Sequence, residues 1–221
     1  RTKRLRFMCR PLLAAVLFST SVAVAQFSTP DAEEAKKKAI EGVLADYEAQ
    51  KYDEALERLF VLKDRNPSDP LILNLIGSVY TKKQNYQKAE KAFRQALDLE
   101  PGFFPAAFNL GELLFLQQKY PLARQYYQTM RATDQRHELL QFKVALCDIL
   151  SGETERAMKV INAIKYPGDS PAWYYAHAAL EHNQGSTAKA REYIRGAKFV
   201  YGPDKTALFD ETFQTIGIST D

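Results

Sequence analysis

Small residues recur along this chain with a period longer than any single helix or strand. Alanine stands at 55, 89, 123, 157 and 190, giving spacings of 34, 34, 34 and 33 residues. The contexts match: Tyr52-Asp53-Glu54-Ala55, Tyr86-Gln87-Lys88-Ala89, Tyr120-Pro121-Leu122-Ala123, Thr154-Glu155-Arg156-Ala157 and Thr187-Ala188-Lys189-Ala190. A second register of small residues, Gly77, Gly111, Ala145 and Ala178, precedes the last four. The pattern predicts two helices per period, crossing where small residues let their backbones approach closely. A glycine inside a helix costs ~1 kcal/mol, so two in register imply a packing reason. Pro70, Pro105 and Pro171 fall in predicted first turns, as does Pro121 in a second helix; a missing N–H costs nothing there. No hairpin dipeptide and no sustained period-two alternation argues for strands.

The ends extend the helical reading. Asp204 is a candidate N-cap for a helix over 204–216, where Phe209, Phe213 and Ile216 share one face. Thr29 is placed to cap a helix starting at Pro30, with Asp31, Glu33 and Glu34 favourable in its first turn.

This periodicity resembles the tetratricopeptide repeat family, whose unit is a helix–turn–helix of the same length. Residues 70–103 match best, with Leu73, Ile76-Gly77, Tyr80, Ala89, Phe93, Ala96 and Pro101 at the family's positions. The next unit shows Leu110-Gly111, Leu114, Ala123, Tyr127 and Met130 but has Gln135 where the terminal proline belongs. The first unit keeps Ala55, Leu59, Leu62 and Pro67, with Val43 at the small position. The fourth keeps Ala145, Ala157, Ile161 and Ile164; the fifth keeps Ala178, Ala190, Ile194 and Ala197. The resemblance implies an all-α fold, an α-solenoid of antiparallel helix pairs with a C-terminal capping helix. The expected organisation is a signal peptide over 1–25, a lead-in over 26–35, about five repeats (36–69, 70–103, 104–137, 138–170, 171–203) and a capping helix with tail over 204–221.

In the family the first helices line a partner-binding groove. The matching positions here are Lys37, Ile40, Leu44 and Tyr47; Leu71, Asn74, Ser78 and Thr81; Pro105, Phe108, Glu112 and Phe115; Leu139, Phe142, Leu146 and Ile149; Ala172, Tyr175, Ala179 and His182. From these the candidate groove is drawn as Tyr47, Asn74, Phe108, Asn109, Glu112, Phe115, Phe142 and Tyr175. Its aromatic character suits an apolar helix or extended segment. Asn74 and Asn109 are candidates to bond a partner's backbone, or are locally satisfied. Each aliphatic position is equally readable as core. A carboxylate clamp is not expected, because its cation and amide positions hold Ile40, Leu44, Leu75, Pro105 and Asn109.

Charge and the N-terminus place the chain. Arg1, Lys3, Arg4, Arg6 and Arg10 precede an apolar stretch from Leu12 to Ala25, which ends in Ala23-Val24-Ala25. That reads as a secretory signal with Gln26 first in the mature chain; an uncleaved anchor is the rival reading. Met8 is a second candidate start that preserves the signal. Removing residues 1–25 takes Lys+Arg from 30 to 25 against 27 Asp+Glu, so the net charge changes from +3 to −2. The remaining charges are mixed in sign, which argues against nucleic acid. Cys147 alone remains of two cysteines and reads as a small buried hydrophobe.

Catalytic signatures are missing from the remaining residues. His177 and His182 lie five apart, about 140° around a helix, and do not converge on a metal. His137 stands alone, and no phosphate loop or nucleophile elbow occurs. The expectation is a non-enzyme without cofactor or metal, exported to the periplasm or cell envelope or secreted. It would hold a protein or peptide partner, with membrane association only through an uncleaved N-terminus. The alternative is a self-assembling structural subunit, a homo-oligomer.

Overall fold

The computed structural model describes residues 30–130 and 134–220, so the signal reading of 1–25 and the Thr29 cap lie outside the described residues. Among these residues there are ten helices and no strand: α1 (Pro30–Glu48), α2 (Tyr52–Arg65), α3 (Pro70–Lys82), α4 (Tyr86–Leu99), α5 (Phe104–Leu116), α6 (Tyr120–Thr129), α7 (Asp134–Leu150), α8 (Thr154–Ala163), α9 (Ala172–Asn183) and α10 (Thr187–Thr215). The protein is thus an all-α solenoid of helix pairs ending in an additional helical segment. Two compact units divide within α5, between Leu113 and Leu114.

The turn inside each pair is built the same way throughout. Gln50, Gln84, Gln118, Gly152 and Gly185 all have positive φ, between 58° and 82°. Each N–H bonds back three residues, as Gln84 to the Thr81 carbonyl at 3.0 Å. The following N–H bonds back five, as Asn85 to the Tyr80 carbonyl at 2.9 Å. This is a Schellman motif, which satisfies the last carbonyls of the first helix and starts the second within four residues. Glycine is the usual residue here, because a Cβ crowds the backbone at positive φ.

In the first unit, 30–113, the core joins Val43 and Tyr47 of α1, Ala55, Leu56, Leu59 and Leu62 of α2, Ile72, Leu75, Ile76 and Val79 of α3, and Ala92 of α4. A smaller cluster of Leu73, Ala96 and Ala106 links α3, α4 and α5. Ala55 and Ala89 are fully buried. A Cβ on Gly77 would meet the Phe93 ring at 2.4 Å, so the bulky neighbour of that glycine is a phenylalanine one turn beyond Ala89. α3 opens on Pro70, and the Asp69 carboxylate caps it by accepting from the Leu71 N–H at 2.8 Å.

In the second unit, 114–220, Ala123, Ala145, Ala157, Ala178 and Ala197 are fully buried where helices cross, and so is Cys147. Asp148 of α7 is buried and accepts from Arg124 of α6 at 2.8 Å and Arg156 of α8 at 3.2 Å, tying three helices together. Pro171 stands at the N-cap of α9, one residue before the helix, not inside its first turn. Between α8 and α9 the chain turns through a cis Tyr166–Pro167 bond. Buried Glu138 holds that loop, accepting from the N–H groups of Asp169 (3.2 Å) and Ser170 (2.9 Å) and from the Ser170 hydroxyl (2.5 Å). α10 is broken by Gly202, at φ 74° and ψ 172°, into limbs 187–201 and 203–215. Pro203 opens the second limb, so the Asp204 expected as its cap stands in the first turn instead.

Candidate functional site

The expected groove residues all lie on first helices, and none is fully open to solvent. In the first unit Tyr47 is buried in the core, edge-on to Tyr52 at 5.7 Å, with the Lys82 ammonium 5.9 Å from its ring centroid. Phe108 is buried and stacks on Phe104 at 5.8 Å. Glu112 is half-buried. Asn74 and Asn109 are fully buried and bond each other: Asn109 Nδ2 donates to Asn74 Oδ1 at 2.9 Å and to Ser78 Oγ at 3.3 Å. Two consecutive first helices, α3 and α5, are therefore stitched by a polar contact inside an apolar layer. Asn74 Nδ2 and Asn109 Oδ1 have no partner among the described residues.

In the second unit Phe115 packs edge-on against Tyr120 at 5.3 Å, under the Lys143 ammonium at 5.5 Å. Phe142 and Tyr175 are fully buried, with centroids 6.4 Å apart. Their cover comes from the chain itself. Phe209 lies 5.0 Å from Phe142 and 5.1 Å from Tyr175, and Phe213 lies 6.2 and 5.1 Å from them. The Tyr175 hydroxyl donates to Asp210 Oδ1 at 2.5 Å, and Lys198 lies 3.3 Å from the other oxygen of that carboxylate. Burial, then the adjacent Asp210 carboxylate, pushes the Tyr175 phenol well above its ordinary range, so it remains a donor. Lys143, also fully buried, donates to Thr212 Oγ1 at 2.9 Å.

Where an aromatic-lined groove was expected, the structure buries each of these side chains except half-buried Glu112. Phe108 packs on its own helix, Tyr47 and Phe115 on the second helix of their pair, and Phe142 on Tyr175 of the next first helix, because burial of apolar rings is favourable. At Phe142 and Tyr175 the second limb of α10 finishes the burial. That limb, the expected C-terminal capping helix, covers α7 as well as α9.

Sequence reasoning missed Lys143, Asp210 and a half-exposed aromatic group around α9. In that group Trp173 packs against Tyr166 at 4.3 Å and His177 at 4.2 Å, and His177 stacks on Tyr193 at 5.2 Å. Burial depresses the His177 pKa below 6.5, against an opposing effect of Glu181. The i, i+4 spacing of Trp173 and His177 was the available signal. Among the described residues no cluster of three or more His, Cys, Asp or Glu side chains could hold a metal, and no helix is long and apolar enough to cross a membrane.

A family model described as tetratricopeptide repeat matches residues 41–103 and, overlapping, 74–137. No curated protein matches the chain by sequence. Several solved structures share the fold. A thermophilic tetratricopeptide repeat protein of Thermus thermophilus, TTC0263, is 18% identical at a TM-score of 0.60, covering 83% of this chain and 98% of that one. PilF of Pseudomonas aeruginosa is 17% identical at 0.59, covering 84% and 93%. MamA of Desulfovibrio magneticus RS-1, from residue 41 to its end, is 17% identical at 0.58, covering 75% and 94%.

Proposed function

We propose that the chain, whose residues 41–137 match the tetratricopeptide repeat model, is a tetratricopeptide repeat protein and a non-catalytic adaptor of the cell envelope or periplasm, holding an apolar helix or peptide of another exported protein against its first helices. The observation that carries this reading is the seat of Phe209 and Phe213 on Phe142 and Tyr175: the inner side of α7 and α9 has the shape and chemistry to take an amphipathic helix. The basic segment, apolar stretch and Ala23-Val24-Ala25 of the N-terminus support export.

Two measurements test it. Expressed with a C-terminal tag, the protein should fractionate with the periplasm or envelope and begin at Gln26 by N-terminal mass spectrometry. A wholly cytosolic, uncleaved product would remove the export reading. Pull-down from an envelope extract should recover a partner that Phe142→Ala with Tyr175→Ala no longer holds. A folded double variant that still holds the same partner would place binding elsewhere.

Phe199 and Val200 favour the second reading, a self-assembling subunit: the phenylalanine is 92% exposed at the end of the first limb of α10. Light scattering over a wide concentration range separates the two, since the adaptor stays monomeric.

A further inference from the structure

We propose that the second limb of α10 is a tethered stand-in for the partner's helix, and that its sequence describes the partner: an amphipathic helix with aromatics four residues apart and an acid directly after the first. The proposal rests on the adaptor reading and deepens it. All of its residues lie within the second unit.

The limb is amphipathic in a way that fits a recognition face. Thr206, Phe209, Thr212 and Phe213 are buried, while Lys205, Ala207 and Gln214 face water. The two phenylalanines enter the pocket formed by Phe142 and Tyr175. The seat also reads polar groups. The Tyr175 hydroxyl takes the Asp210 carboxylate, Lys198 pairs with its other oxygen, and Lys143 reaches the Thr212 hydroxyl. A helix that merely closed the end of the stack would need apolar contacts alone. Placing a buried lysine and a tyrosine hydroxyl under it, matched to a carboxylate and a hydroxyl on the limb, carries a desolvation cost that selects for sequence.

The limb is also joined to the rest of α10 by a single joint. Gly202 is the one residue in α10 with non-helical angles, and Pro203 starts the limb with its φ already set. Rotation at Gly202 swings the limb out without unwinding 187–201. A second attachment lies at the end of the tail, where Lys198 Nζ donates to the Thr220 carbonyl at 2.7 Å and Ile218 is buried. A short tether holds the limb at an effective concentration of roughly millimolar. A free helix must therefore compete with it, and its apparent affinity falls by the fraction of time the seat is closed.

The test uses the full chain and a fluorescein-labelled synthetic peptide of residues 203–220, followed by anisotropy. The wild-type protein should bind it weakly. Phe209→Ala with Phe213→Ala in the protein removes the resident anchors and should tighten binding at least ~10-fold. A peptide carrying alanine at both aromatic positions should not bind the opened protein. Asp210→Ala in the protein keeps the aromatics and the core, loosens the limb, and should give an intermediate gain. Helicity by circular dichroism confirms that each variant folds. If the double variant folds and binds the peptide no better than wild type, the proposal is wrong. If it does not fold, Asp210→Ala decides, and binding equal to wild type refutes. Tight binding to the wild-type chain also refutes, because the seat would then be unobstructed. Capture of an envelope partner through the first unit would leave the adaptor reading standing in each of these cases.

Discussion

Gly77→Ala is a sharp test of the helix-pair packing, because local and tertiary physics demand opposite signs. On an isolated helix, alanine is better than glycine by ~1 kcal/mol. In this fold the added Cβ would lie 2.4, 2.6 and 2.9 Å from Phe93 Cε1, Cδ1 and Cζ. Carbon atoms prefer a separation of about 3.5–4.0 Å, so the ring must retreat by about an ångström. Phe93 is fully buried and has no solvent to retreat into. Overpacking typically costs about 1–3 kcal/mol, and an ångström of displacement at a fully buried ring belongs in the upper half of that range, about 2–3 kcal/mol. Taken with the propensity gain, the net effect is a loss of about 1–2 kcal/mol, or a melting point lower by roughly 2–8 °C for a chain of this size. Thermal melts and urea titrations followed by circular dichroism measure it. Phe93→Leu should relieve the crowding, so Gly77→Ala made in that background should be neutral or stabilising, a coupling of at least ~1 kcal/mol. A single variant as stable as wild type would refute the close crossing of α3 on α4.

Other outcomes follow from the same geometry. Gln84→Gly should stabilise by about 0.5–1 kcal/mol in denaturant titration, since Gln84 sits at φ 58° with a strained Cβ; a loss would argue against the Schellman turn. Asn109→Ala should cost about 1–3 kcal/mol by stranding the buried Asn74 carbonyl, measured the same way; a neutral result would mean that water reaches the pair. Glu138→Ala should cost about 1.5–3 kcal/mol and speed proteolysis of the loop before α9, because it removes the acceptor of three hydrogen bonds; unchanged proteolysis would refute that role. His177 is held below 6.5 by burial, so between its folded pKa and about 6.5 the unfolded chain binds more protons. Stability should therefore fall as pH drops below about 6.5 and level off under the folded value, and His177→Phe should flatten that part of the profile; identical pH slopes for both proteins would refute it.

The helix pairs were legible because their physics is local. Ala55, Ala89, Ala123, Ala157 and Ala190 mark crossings between helices adjacent in sequence, and each period repeats the same solution. The repeating turn was only half visible. Its left-handed residue follows the same period, but glutamine occupies it three times where glycine would have announced it. The candidate groove residues were read on the first helices, where the structure also places them, but their burial was not read. Position on a helix face follows from spacing, whereas burial depends on what packs above.

By itself, then, the sequence determined an all-helical chain, the register of its pairs and the residues that sit on the first helices. Only the tertiary structure decided that Asn109 reaches Asn74 across 35 residues, that Lys143 meets Thr212 across 69, and that Phe142 and Tyr175 lie beneath Phe209 and Phe213. Those contacts join segments one to two repeats apart. A local period carries no information about which distant apolar face will meet which, because that choice is made by burial, and burial belongs to the folded chain as a whole.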